Sequence, residues 1–159
     1  MDSPHRLFLF LERRIRMKKN WQSESLDMDQ LFPGGYVIEL ETGRYLNNCN
    51  GKKIRSSPFD RAKHFPNRHQ VKTYMDLHFP YIGFPIFICE VLWVLLSHRY
   101  ELEGITEYWT GTGFSTQFQN AITFNTYKEA YGYQKTQGLL RISIIEQQCF
   151  RREHVVMAA

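Results

Sequence analysis

Cysteine is scarce in this 159-residue chain: Cys49, Cys89 and Cys149 are its three, and no two of them form a CxxC pair. An odd count without paired spacing argues against a disulfide framework, and without CxxC or HExxH spacings no metal site is expected. Free thiols suit a reducing cytoplasm, so that compartment is the expected one. Long apolar runs are lacking too. Residues 7–11 (LFLFL) are followed at once by charge and are too short for the core of a signal peptide. Residues 86–96 are strongly apolar but too short to span a bilayer as a helix. Phosphate-loop spacings are missing: Thr110-Gly111-Thr112-Gly113 leads into Phe114, so a β-turn is expected there. No GxSxG is present, and no cysteine has an obvious neighbouring base. No cofactor is expected from this pattern.

Aromatic residues are plentiful: twelve Phe, nine Tyr and three Trp are more than a core of this size needs, so some rings are expected on a contact surface. The net charge is +4, and its distribution says more than its sum. Residues 1–20 carry six Lys or Arg against two carboxylates. Residues 49–74 carry seven, Lys52, Lys53, Arg55, Arg61, Lys63, Arg68 and Lys72, against Asp60 alone. The rest is mildly acidic. Two basic blocks on such a body point to an anionic partner, either nucleic acid or an acidic protein face. Loop solvation is the competing explanation.

The chain reads as an α+β protein of two tandem ββαβ-like repeats, with helices packed on antiparallel strands. Residues 1–33 are expected as a basic, partly flexible extension, with order beginning near Gly34-Gly35. Residues 34–91 form the first unit, 92–104 a connector, 105–148 the second unit and 149–159 a tail. Residues 36–40 are strand-like, and Thr42-Gly43 makes a tight turn into Arg44-Tyr45-Leu46. A polar loop is expected from Asn47 to Asp60. Ala62, Phe65, Val71 and Tyr74 are then spaced by three, six and three residues, and Ala121, Phe124, Ala130 and Tyr133 repeat those gaps. Within them Asn67 matches Thr126 and Gln70 matches Glu129, each pair an expected helix N-cap and its partner three residues on. Strands are expected at 86–91 and 140–145 beyond the two helices, and the second helix should stop near Gly138.

The hairpin Tyr36-Val37-Ile38…Gly43-Arg44-Tyr45-Leu46, followed by Ala62-Lys63-His64-Phe65 and a capped helix, resembles small accessory proteins of phages and mobile elements. That resemblance implies an α+β fold and a role in phage–host conflict, such as blocking a host defence complex. It carries no catalytic residues. The expected function is therefore a non-catalytic inhibitor or adaptor in the host cytoplasm, with a host protein or ribonucleoprotein complex as partner. Its expected binding residues are Lys52, Lys53, Arg55, Phe59, Arg61, Lys63, Arg68 and Lys72, the charges tracking an anionic surface and Phe59 offering an exposed ring. Direct nucleic-acid binding is the alternative. A small nuclease using His64 and His69 ranks third, because the matched positions in the second half are Thr123 and Lys128.

Overall fold

A computed structural model describes residues 5–6, 27–50, 53–79 and 85–156. The basic stretch within residues 7–20 and Lys52 lie outside these residues. The described chain is α+β, with eight antiparallel strands and four α-helices, and His5–Arg6 add a two-residue pairing beside the last strand. In chain order the elements are α1 (Met28–Leu31), β1 (Gly35–Glu41), β2 (Arg44–Asn50), β3 (Lys53–Ser57), α2 (Arg68–His78), β4 (Pro85–Ser97), α3 (Arg99–Glu103), β5 (Tyr108–Trp109), β6 (Phe114–Ser115), β7 (Thr123–Phe124), α4 (Tyr127–Thr136) and β8 (Ser143–Val156). They fall into two compact units, and neither is a contiguous ββαβ segment. Unit one takes described residues 34–50, 53–79, 85–91 and 149–156; unit two takes 27–33 and 92–148.

In unit one the strand order is β8-β4-β1-β2-β3. The β1–β2 hairpin turns at Thr42-Gly43, with Glu41 opposite Arg44. The stretch expected as a polar loop is a second hairpin: β2 continues to Asn50 and returns as β3, pairing Cys49 with Ile54 and Tyr45 with Ser57. An edge strand with a solvated face needs few apolar positions, and Ile54 supplies one, so overall polarity concealed it. Side chains alternate across the sheet. Ile38, Leu46, Ile86 and Ile88 join Val71, Met75 and Phe79 beneath α2, with Ile54 packed against them. Val37, Tyr45, Cys89, Val91 and Cys149 form a second cluster, with Phe59 and Ala62 packed against it from a 3-10 turn.

Helix α2 starts where Asn67 Oδ1 accepts the Gln70 backbone N–H at 2.9 Å, as the cap spacing predicts. Eleven residues are too few for a stable isolated helix. A cap contributes about 1 kcal/mol, whereas burying Val71 and Met75 contributes roughly 1.5–3 kcal/mol each, so packing on the sheet decides. The segment before α2 is pinned to β1 by two backbone bonds, Tyr36 N–H to Phe65 O and Phe65 N–H to Tyr36 O, each 2.8 Å. Gly35 permits that approach: its φ is +83°, and a Cβ there would lie 2.3 Å from the Phe65 carbonyl oxygen.

Unit two is built around Trp93, Phe32 and Ala130, with Phe124, Tyr127 and Ile145 packed against them. Thr126 Oγ1 caps α4 by accepting the Glu129 N–H at 3.1 Å, and Gly138, with φ +69°, follows the helix end as expected. Residues 92–104, expected as a connector, are the second half of β4 followed by α3, which stops at Gly104 with φ +70°. The second expected unit opens on a strand of two residues, Tyr108–Trp109, with Tyr108 opposite Leu96. Thr110–Gly113 is the expected turn, closed by Thr110 N–H to Gly113 O at 2.8 Å. The strand expected at 140–145 begins at Ser143 and runs to Val156, so most of the expected tail is strand.

Residues 27–33, assigned from sequence to a flexible extension, belong to this core. Phe32 is buried with its ring edge-on to Trp93 at 6.2 Å, and Gln147 Nε2 donates to the carbonyls of Phe32 and Pro33. Asp29 accepts N–H bonds from Tyr127 at 2.7 Å and Lys128 at 3.3 Å, a helix-start contact supplied from 98 residues away. Two stability measurements check these junctions. Gly35→Ala will cost more than about 2 kcal/mol in urea unfolding, against roughly 1 kcal/mol for Gly43→Ala, whose φ is similar but whose Cβ position is open. Asp29→Ala will cost about 1–2 kcal/mol, comparable to loss of a strong N-cap.

Candidate binding groove

The segment 62–66 and one side of α2 border an open cavity of about 440 Å³ in unit one, lined by Lys63, His64, Phe65, His69, Gln70, Thr73, Tyr74 and Leu77. His69, Thr73 and Leu77 follow one another at helical spacing along α2, with Gln70 and Tyr74 beside them. Because the Phe65 backbone is tied to β1, Lys63 and His64 are held in place. Lys63 Nζ lies over the rings of Phe65 and Tyr74, 5.5 and 5.4 Å from their centroids, within cation–π range. It forms no ion pair with a described carboxylate. His64 Nδ1 is 2.8 Å from the Gly34 carbonyl oxygen, which accepts a hydrogen bond from the ring. Thr73 Oγ1 donates to the His69 carbonyl at 3.0 Å.

Tyr74 forms part of the wall. Its hydroxyl accepts the Cys49 backbone N–H at 3.1 Å, and its ring packs edge-on against Phe65 at 5.3 Å. Burial, reinforced by the neighbouring Cys49 thiol, pushes the phenol above its ordinary value, so it stays a neutral hydrogen-bonding group. Burial likewise raises the Cys49 thiol, partly opposed by Tyr74, and raises the fully buried Cys149. These shifts make the two thiols poor nucleophiles at neutral pH. Among the described residues no group of three His, Cys, Asp or Glu side chains is placed to hold a metal ion, and no helix is long and apolar enough to cross a membrane.

Among the described residues, those of the expected basic site do not form one patch. Lys53 and Arg55 are exposed on β3, and because Ile54 between them packs toward α2, they project from the opposite face of the sheet. Arg61 is exposed, its carbonyl held by Asn47 Nδ2 at 2.7 Å. Arg68 and Lys72 both turn to Glu153 of β8, at 2.6 and 2.7 Å, on the side of α2 away from the groove-lining residues. Phe59, expected as an exposed ring, is half-buried and lies edge-on to Tyr45 and His64, because it packs against the second core cluster. Of the seven expected residues that are described, Lys63 alone lines the groove. Sequence reasoning did not select Gln70, Thr73, Tyr74 and Leu77 for binding; Leu77 on an otherwise polar helix side, 70 % exposed, was the available signal.

Comparison with protein-family models, curated proteins and solved structures finds no match to this chain.

Hydrogen bonds from Lys72 first and Arg68 second hold the Glu153 carboxyl below its ordinary range. A depressed carboxyl contributes stability above its unfolded pKa of about 4.3, and that contribution is lost as pH falls through the lower folded value. The pair is largely solvated, so Glu153→Gln will cost only about 0.2–1 kcal/mol at pH 7. Urea unfolding compared at neutral pH and at a pH below the folded value should show that difference vanish in acid.

Proposed function

We propose that this chain is a non-catalytic binding protein, an inhibitor or adaptor that occupies a surface of another macromolecule through unit one. The observation that carries this reading is the groove beside α2: open, cationic near the helix start, apolar along its wall, and free of carboxylates in its lining. The resemblance of the β1–β2 hairpin and capped helix to small phage and mobile-element proteins points to a host complex as the partner. We further propose that the two capped-helix segments descend from one duplicated unit. Phe65 meets Tyr74 at 5.3 Å and Phe124 meets Tyr133 at 5.2 Å, so the matched positions share packing. The histidines have no counterpart at Thr123 and Lys128, which favours a structural repeat over a repeated catalytic site.

Direct nucleic-acid binding has weaker support. Following a phosphate backbone takes a row of unneutralised cations on one surface. Here Lys53 and Arg55 lie across the sheet from the groove, while Arg68 and Lys72 are engaged by Glu153. A nuclease reading rests on a different observation: His64 and His69 border the same cavity, and the Gly34 carbonyl orients the His64 ring.

A pull-down from nuclease-treated host lysate separates these readings. The binding protein should recover one dominant protein partner that survives nuclease treatment. Loss of all capture after that treatment would shift the assignment to nucleic acid. RNA or DNA cleavage abolished by His64→Ala or His69→Ala would shift it to catalysis.

A further inference from the structure

We infer that the groove receives an extended acidic segment of a partner protein, with a carboxylate near the start of α2 and an apolar side chain near its end. This rests on the binding-protein reading and names the chemistry that the groove recognises. The polar groups gather at one end: Lys63 supplies the positive charge a few residues before the helix, and the rings of His64 and of His69, in the first turn, lie beside it as hydrogen-bonding groups. Leu77 lies in its last turn, exposed beside the tilted ring pair of Tyr74 and His78, whose centroids are 4.3 Å apart. From His69 to Leu77 the helix rises about 12 Å, the reach of three to four extended residues. An occupant of that length meets charge at one end and apolar surface at the other.

Charge complementarity selects the occupant. The Lys63 ammonium is fixed over two rings and has no described carboxylate partner, so a ligand carboxylate would supply the missing counter-charge. A single-stranded nucleic acid fits less well, because its regularly repeated phosphates would bring a second charge against Leu77. The wall near that residue offers apolar contact to a side chain such as Leu or Tyr, and the Gln70 amide is placed to bond a partner backbone.

The test uses the full chain and fluorescence anisotropy with three labelled probes: a random Glu–Tyr copolymer, poly-glutamate and poly-uridylate RNA, at about 50 mM salt. The Glu–Tyr copolymer should bind more tightly than poly-glutamate. Lys63→Glu and Leu77→Glu should each weaken it by about tenfold or more, while the Lys53→Glu/Arg55→Glu double variant stays within about twofold. Circular dichroism monitors folding, and Lys63→Gln with Leu77→Ser replaces any variant that unfolds. Equal affinity for the two acidic polymers, indifference to Leu77, preferential binding of the RNA, or no binding to any probe would each overturn the inference. In the lysate pull-down, a partner still captured by the Lys63 and Leu77 variants would overturn the groove assignment while leaving the binding-protein reading intact. Copolymer binding as expected, without any lysate partner, would do the reverse.

Discussion

Two backbone hydrogen bonds between Tyr36 and Phe65 determine what unit one can present. They tie the segment leading into α2 to the middle of the sheet, and they form because Gly35 has no side chain to keep the Phe65 carbonyl away. From that junction Phe65 turns into the core, His64 reaches the Gly34 carbonyl, and Lys63 is left over the rings of Phe65 and Tyr74. Asn67 then starts the helix two residues later, and Val71 and Met75 seat it on Ile38, Leu46 and Ile88. The groove is the space between this pinned segment and the exposed side of the helix that it initiates.

Charge follows the same geometry. The two sides of α2 differ in character although both are polar. Arg68 and Lys72, four apart, face β8 and share Glu153; His69, Thr73 and Leu77, also four apart, border the groove. Glu153 offsets part of the charge of these two cations, so the net positive surface is smaller than a count of Lys and Arg suggests. The β-sheet divides it again, because adjacent residues of β3 point to opposite faces. A basic segment that looks continuous in sequence is therefore dispersed over several surfaces.

Much of the local structure was legible in the sequence. The β1–β2 turn at Thr42-Gly43, the caps at Asn67 and Thr126 and the glycine after α4 are determined by residues a few positions apart, whose side chains and backbone freedom act locally. Less legible were β3, whose polar composition hides a strand needing one inward side chain, and α1, too short to show a helical period. The extent of β8 to Val156 was missed because its charged outer half, including Arg151 and Glu153, finds partners on β1 and α2.

The sequence by itself determined where helices begin, where the first hairpin turns and which apolar faces must be covered, because capping, glycine φ and side-chain periodicity act over a few residues. Tertiary structure alone decided which cations are available and which ring is exposed. Pairing Arg68 and Lys72 with Glu153, edge-on contact between Phe59 and Tyr45, and the placing of Asp29 against the start of α4 depend on residues 81, 85, 14 and 98 positions apart. Nothing in the local pattern encodes those distances; packing two faces of a sheet and closing a remote segment onto a helix brings them together.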